Sequence, residues 1–322
     1  MADATVRPQS AGMGMGPAPS PLAALVLDCE DMLYGLAQVE RPREDTLLAA
    51  VTADSDTTWR LGHYSMWKKD DYAEYVPSDG SWGEIVILAE DHPSPGADVS
   101  VRRAQQRTSA ASSYTAGSVF RKNPTFPRVK IARFLREVVD TQLWPHVWIR
   151  TGRSLTWSAT ARHYALNALD FDVEEVYQYN LSSTVNFNPF PRGWWEVVTD
   201  VHSGMQSTGR ALRLHRIYDS TKTVYYTART KPSSADLSTL PSPMLEMLPW
   251  GACWMLLGGT RAAPRRIDRK RVVTEGEEES QVFADASFFK QSFLTMRDDY
   301  RRQLLTEKKP PRNYRPLVGR RG

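Results

Sequence analysis

Apolar residues recur at two different periods along this chain, and the changes of period divide it. From Pro21 onward, Leu22, Leu25, Val26, Cys29, Met32 and Leu33 fall on one helical face. Pro42 then opens a second predicted helix from about Arg43, with Leu47, Leu48 and Val51 as its apolar side. Between Thr58 and Val119 the period drops toward two. Glu84–Ala89 and Asp98–Arg102 read as short strands, bounded by Asp79-Gly80 and by the turn residues His92 to Gly96, and Ser118–Phe120 reads as another. Pro124 and Pro127 set up a further helix, buried through Val129, Ala132, Phe134, Leu135, Val138 and Val139.

Residues 151 to 231 are almost entirely strand-like. Alternation is clear in Arg162–Leu166, Val173–Tyr179, Trp194–Val198, Arg210–Ile217 and Thr223–Arg229. The turns between them have identifiable chemistry, such as Asn188-Pro189, Pro191-Arg-Gly193 and Ser203-Gly204. Short strands at this spacing predict an antiparallel sandwich or barrel. Beyond them the helical period returns. Met244–Gly259 is a short apolar segment with prolines at its start. A long helix then carries Ala286, Phe289, Phe293, Met296, Tyr300 and Leu304 on one stripe, with Arg297, Asp298, Arg301 and Arg302 opposite. The stripe needs a partner, and Met244–Gly259 is the nearest candidate.

At 322 residues the chain has room for two modest domains. No apolar run approaches the length of a bilayer span, and Met1–Ser20 lacks a basic-then-apolar leader, so neither a membrane anchor nor a signal peptide is expected. Cys29 and Cys253 lie in predicted helices and read as buried thiols of a reducing cytoplasm rather than a disulfide.

The net charge of +4 is too small to mark a nucleic-acid-binding protein. Its distribution is uneven. A basic run from Arg261 to Arg271 is followed at once by Glu275, Glu277, Glu278 and Glu279, which reads as a self-attracting solvated loop. A second run, with Arg312, Arg315, Arg320 and Arg321 around the apolar Leu317 and Val318, lies on a proline-interrupted tail suited to docking on a partner.

Candidate chemistry is sparse. Asp170, Asp172 and Glu174 share strand parity and could face a hard cation with Glu175 nearby, but the calcium-loop pattern is missing and strand edges commonly carry charge. His63, His92, His146, His163, His202 and His215 are scattered, with no zinc spacing. Neither a nucleophile elbow nor a phosphate loop occurs; Gly12-x-Gly14-x-Gly16 follows no strand. No catalytic residue, metal or cofactor is therefore expected. The crowd of Trp59, Trp67, Tyr72, Tyr75 and Trp82 reads as core or subunit contact. Of Trp194 and Trp195, pleating exposes at most one.

Two segments carry a family resemblance. One is Phe120-Arg-Lys-Asn-Pro-Thr-Phe-Pro-Arg-Val-Lys-Ile-Ala-Arg-Phe-Leu-Arg136, ending in Leu143-Trp-Pro-His-Val-Trp148. The other is Leu248-Pro-Trp-Gly-Ala-Cys-Trp-Met-Leu-Leu-Gly258 with the long helix behind it. Together they cover well under half of the chain, and the pattern resembles the neck proteins of tailed bacteriophages, the head-to-tail adaptor (connector) group. The resemblance implies a virion structural protein assembled in the host cytoplasm. It would form a homo-oligomeric ring of twelve copies between the portal protein and a downstream neck or tail protein. DNA would pass through the channel without sequence-specific binding. Under that reading Phe289, Phe293, Met296, Tyr300 and Leu304 pack subunits, and Arg312, Arg315, Leu317, Val318, Arg320 and Arg321 dock on the portal. The alternative is a carbohydrate-binding or receptor-proximal tail component that uses the β domain.

The expected fold is α+β, a helical frame with an inserted antiparallel β-sandwich-like domain. Its expected parts are a flexible arm at 1–20, a helical domain with short β segments at 21–150, the β domain at 151–232, a helical hairpin at 233–307, and a basic extended tail at 308–322.

Overall fold

In a computed structural model, the structure describes residues 20–37, 39–77, 81–106, 108–111, 113–155, 162–179, 187–199, 201, 208–215, 223–258 and 278–306. The chain divides into two compact units, Met1–Ala132 and Arg133–Gly322. Both helices and antiparallel sheets are present, so the fold is α+β.

The first unit opens with α1 (Pro21–Asp31). Ser20 caps it by accepting the Ala23 N–H at 3.2 Å, and Pro21 fills the first turn, where a missing amide costs nothing. A π-helical turn, Met32–Leu36, continues it. Six short strands follow: β1 (Glu44–Thr46), β2 (Thr58–Trp59), β3 (Tyr72–Tyr75), β4 (Ile85–Leu88), β5 (Val99–Arg102) and β6 (Val119–Lys122). They pair antiparallel in the order β1-β6-β3-β4-β5-β2.

The two ends of this sheet meet. Leu47 bridges Leu61, the Leu48 N–H donates to the Arg60 carbonyl at 2.7 Å, and the Gly62 N–H donates to the Thr46 carbonyl at 3.0 Å. The sheet thus closes into a small barrel, which leaves no long unpaired edge. Leu47, Trp59, Leu61, Trp67, Val86, Leu88, Val99, Val101 and Phe120 fill one core drawn from all around it. Trp59 and Trp67 are each 1% exposed, so part of the expected aromatic crowd is barrel core.

This corrects the expected helical domain at 21–150. The helix expected from Arg43 is a strand and two β-bridges, at Leu47 and Val51. The acids after Pro42 look like a helix start, but the buried Asp45 carboxylate receives the His63 and Thr46 amides and the Trp67 indole, which needs extended backbone there.

One helix, α2 (Arg128–Glu137), runs through the division and ends in a second π-helical turn, Val138–Leu143. The second unit then lays down β7 (Ile149–Leu155), β8 (His163–Ala165), β9 (Asp170–Tyr179), β10 (Phe187–Pro189), β11 (Trp195–Thr199), β12 (Arg210–Leu214) and β13 (Val224–Thr230). They form two antiparallel sheets, β10-β9-β13-β7 and β11-β12-β8. Leu155, Val173, Val176, Val224, Tyr226 and Ala228 of the first sheet share a core with Tyr164, Leu166, Trp195, Leu212 and Leu214 of the second. Two sheets facing across one core make a sandwich.

Among the described residues, two helices close the second unit, α3 (Ser242–Gly258) and α4 (Glu278–Thr306). They pack antiparallel: Gly258 lies against Ala286 and Gly251 against Phe293. The apolar α3 buries Met244, Met247, Leu248, Ala252, Cys253, Leu256 and Leu257. Cys29 and Cys253 are both buried. Among the described residues, no helix is long and apolar enough to cross a membrane.

Candidate interaction surface

The stripe of α4 meets α3 within the same chain. Phe289 and Phe293 are 1% and 0% exposed, Leu304 is buried, and Met296 and Tyr300 are half-buried. The Trp250 and Trp254 rings lie 5.7 and 6.0 Å from those of Phe289 and Phe293. The expectation that Phe289, Phe293 and Leu304 pack neighbouring subunits is therefore corrected, since they are buried within their own chain, while Met296 and Tyr300 keep part of their surface exposed. A 3.6-residue stripe marks the buried side of a helix and is silent on whose surface buries it.

What α4 turns outward lies beside the stripe. Phe288 is 53% exposed, with its ring 5.9 Å from that of the half-buried Trp250, and Leu305 is also exposed. The hairpin is fastened near its end by Arg150 of β7, which donates to the Leu304 carbonyl at 3.1 Å. A cation at a helix C-terminus also opposes the negative end of the helix dipole. Lys290 lies 5.4 Å over the Trp254 ring. The tail residues Arg312, Arg315, Leu317, Val318, Arg320 and Arg321 lie outside the described residues, as do the basic and acidic runs between Arg261 and Glu277.

Asp170, Asp172 and Glu174 of β9 are paired with arginines. Asp170 is fully buried and accepts from Arg153 at 2.9 Å, the Tyr226 hydroxyl at 3.0 Å and the Thr230 hydroxyl at 2.8 Å. Burial and then the Asp170 charge push the Tyr226 hydroxyl up to about 12. Glu174 takes Arg150 at 2.9 Å and Arg229 at 2.7 Å, and Asp172 lies 3.8 Å from Arg229. The face that parity made available to a cation is occupied by guanidinium groups.

A shallow depression of about 450 Å³ opens at the sandwich, with Asp172, Arg192, Trp195, Glu196 and His215 among its walls. Trp195 is 6% exposed, and the Arg192 guanidinium lies over its ring at 5.4 Å. Its face is covered by a neighbouring side chain and offers no platform for a sugar ring. Glu196 pairs with Arg213 at 3.0 Å and stands 3.8 Å from His215. Tyr177 and Tyr225 stack on each other at 5.8 Å.

Three charge clusters in the barrel unit have no counterpart in the sequence reading. Glu84 is clamped by Arg103 at 3.1 and 2.6 Å and also receives the Ala104 and Ala111 amides and the Tyr114 hydroxyl. Burial alone would raise its carboxyl, but these donors together hold it below the usual range. Arg103 also lies over the Trp59 and Tyr114 rings, 5.5 and 5.7 Å from their centres. Asp45 receives the Trp67 indole N–H at 2.6 Å, and its other oxygen lies 2.8 Å from His63 Nδ1. It too sits below its usual value, its hydrogen bonds outweighing burial. The third cluster joins Glu30, Glu74, Arg121 and Arg128. No local spacing announces any of these, because their members lie up to 98 residues apart.

No protein-family model matches the chain, and no characterised protein matches its sequence significantly.

Proposed function

We propose that this protein is a virion structural component of a tailed phage, a head-to-tail adaptor that forms a ring between portal and tail around the DNA channel. The observation that carries the reading is the exposed Phe288 beside Trp250 on a hairpin whose own core stripe is already satisfied. An outward aromatic pair on rigid helices is the type of surface a neighbouring copy covers, and aromatic anchors dominate such contacts. The disposition of charge supports a structural part. Glu84, Asp170 and Glu174 hold the fold together through arginines, and so are not free to act as acids or bases on a substrate.

In this reading the ring holds twelve copies. The basic tail at 308–322 reaches the portal, the sandwich meets the downstream neck or tail protein, and DNA passes without sequence-specific contact. The test is the copy number and symmetry of the protein in intact particles. A closed ring with Phe288 at a subunit boundary is expected, and Phe288→Asp should give folded monomer that fails to join particles. A single copy per particle, or normal incorporation of Phe288→Asp, overturns the proposal.

A further inference from the structure

Glu74 of β3 is wholly buried in the third cluster. One of its carboxyl oxygens accepts the Arg128 backbone N–H at 2.6 Å; the other has no hydrogen-bond partner among the described residues. The Tyr34 hydroxyl, from the π-helical turn after α1, is likewise buried without such a partner. Around them the charges are already matched. Arg128 grips Glu30 of α1 through two bonds, at 2.9 and 3.0 Å, and its Nη1 donates to the Pro77 and Ser81 carbonyls. Arg121 of β6 divides itself between Glu30 at 2.5 Å and Glu44 of β1 at 3.0 Å.

Two guanidinium groups thus face two carboxylates before Glu74 is counted. An ionised Glu74 would be a third negative charge with one oxygen unsatisfied, in a place that water does not reach. Such a charge is far more costly than a neutral acid. Its one relief is local. Glu74 lies directly opposite Arg121 in the β3–β6 ladder, and its bound oxygen already touches the Arg128 backbone. Both guanidinium groups that hold Glu30 are therefore the nearest countercharges available to it. From the other neighbouring strand, β4, the residue opposite Glu74 is the apolar Ile85.

We propose that Glu74 is a proton switch: protonated, it leaves Arg121 and Arg128 to hold Glu30 and so tether α1; ionised, it draws them away and releases the helix. Burial, opposed by the Arg128 amide and the Arg121 charge and reinforced by Glu30, moves the Glu74 carboxyl up to about 7. The switch therefore works near neutrality. The sign follows from the direction of the shift. An acid raised in the folded state contributes its full share below its ordinary value of 4.5, and that share is lost as pH rises through about 7. This inference does not depend on the adaptor reading.

Hydrogen exchange of the full chain between pH 5.5 and 8.5, corrected for intrinsic rates, tests it. Protection of amides 22–37 should fall by up to about tenfold per pH unit from pH 5.5 to about 7 and level off above it, while barrel amides 85–102 stay protected. Glu74→Gln, which keeps the neutral shape, should abolish that fall. Unchanged wild-type protection across the range, or the same fall in Glu74→Gln, overturns the proposal. Should that variant not fold, carbon-13 titration of the wild-type Glu74 carboxyl decides. A midpoint of 6 or above that moves down in Glu30→Gln supports the switch; a midpoint below 6, or one unmoved in Glu30→Gln, overturns it.

Discussion

Gly251 faces Phe293 so closely that a methyl group on residue 251 would stand 3.1 Å from the ring, and 2.8 Å from a methyl of Val138. The contact explains a glycine in the middle of α3, where helix propensity alone favours almost any other residue. Gly251→Ala should gain about 1 kcal/mol of helix propensity. It should lose about 1–3 kcal/mol to overpacking. The loss should prevail because Val138 is β-branched, with little rotamer freedom to yield. Net destabilisation of about 1 kcal/mol in urea denaturation is expected. Gly35, with nothing within 4 Å of its would-be Cβ, is the control, and Gly35→Ala should be neutral or stabilising.

Arg103 and Glu84 form the most enclosed ion pair of the barrel, with side chains 6% and 0% exposed. Removing one partner strands the other. Arg103→Met should cost about 3–5 kcal/mol, because Glu84 is left charged and buried while the Ala53 and Ala111 carbonyls lose a donor. Replacing both members with apolar residues should cost less than the sum of the two single changes. A double-mutant cycle followed by thermal denaturation measures this. Additive losses would show that the pair contributes no coupling.

Most individual strands of the sandwich were legible in the sequence, since alternation survives wherever one face is buried and the other wet. The α4 stripe was legible for the same reason. In the barrel β4, β5 and β6 were legible too, but β1, β2, β3 and the closure were not. The missed strands are two to four residues long, too short for a period to declare itself, and β1 reads Glu-Asp-Thr with Asp45 buried. Closure depends on Leu47 meeting Leu61 across a connection with no regular pattern. Of the proposed contact residues, periodicity found those that pack but assigned them to a neighbour. Phe288, one residue off the stripe, was passed over because a pattern search rewards the residues that conform to it.

Acid should weaken the barrel by a route opposite to Glu74. The Asp45 and Glu84 carboxyls are both held below their ordinary values of 3.8 and 4.5. A depressed acid contributes stability that is fully present above its unfolded value and lost as pH falls through its folded one. Loss should therefore begin below about pH 4.5 and deepen toward pH 3. Glu84→Gln should be less stable than wild type at pH 6 and respond less steeply to acid. Denaturation midpoints at pH 6, 4 and 3 give the comparison. Equal acid slopes for variant and wild type would mean that Glu84 is not a source of the loss.

The last prediction concerns the tail. Residues 308–322, which lie outside the described residues, carry Pro310, Pro311 and Pro316, each without the amide donor a helix uses. The six basic residues and the apolar pair Leu317 and Val318 of this segment suit docking on a partner's acidic surface. In the adaptor reading that surface is the portal, and the attraction has a large screened component. Deleting 308–322 should leave denaturation of the subunit unchanged, because α4 is fastened earlier, by Arg150 at Leu304. The truncated protein should fail to stay on DNA-filled heads, and wild-type attachment should weaken as salt rises and the Debye length shrinks from about 10 Å at 0.1 M toward about 3 Å at 1 M. Sedimentation of heads with bound protein, across that salt range, measures both effects. Full attachment of the truncated chain would mean that the hold on the head lies elsewhere in the molecule, with the exposed Phe288 surface the first place to look.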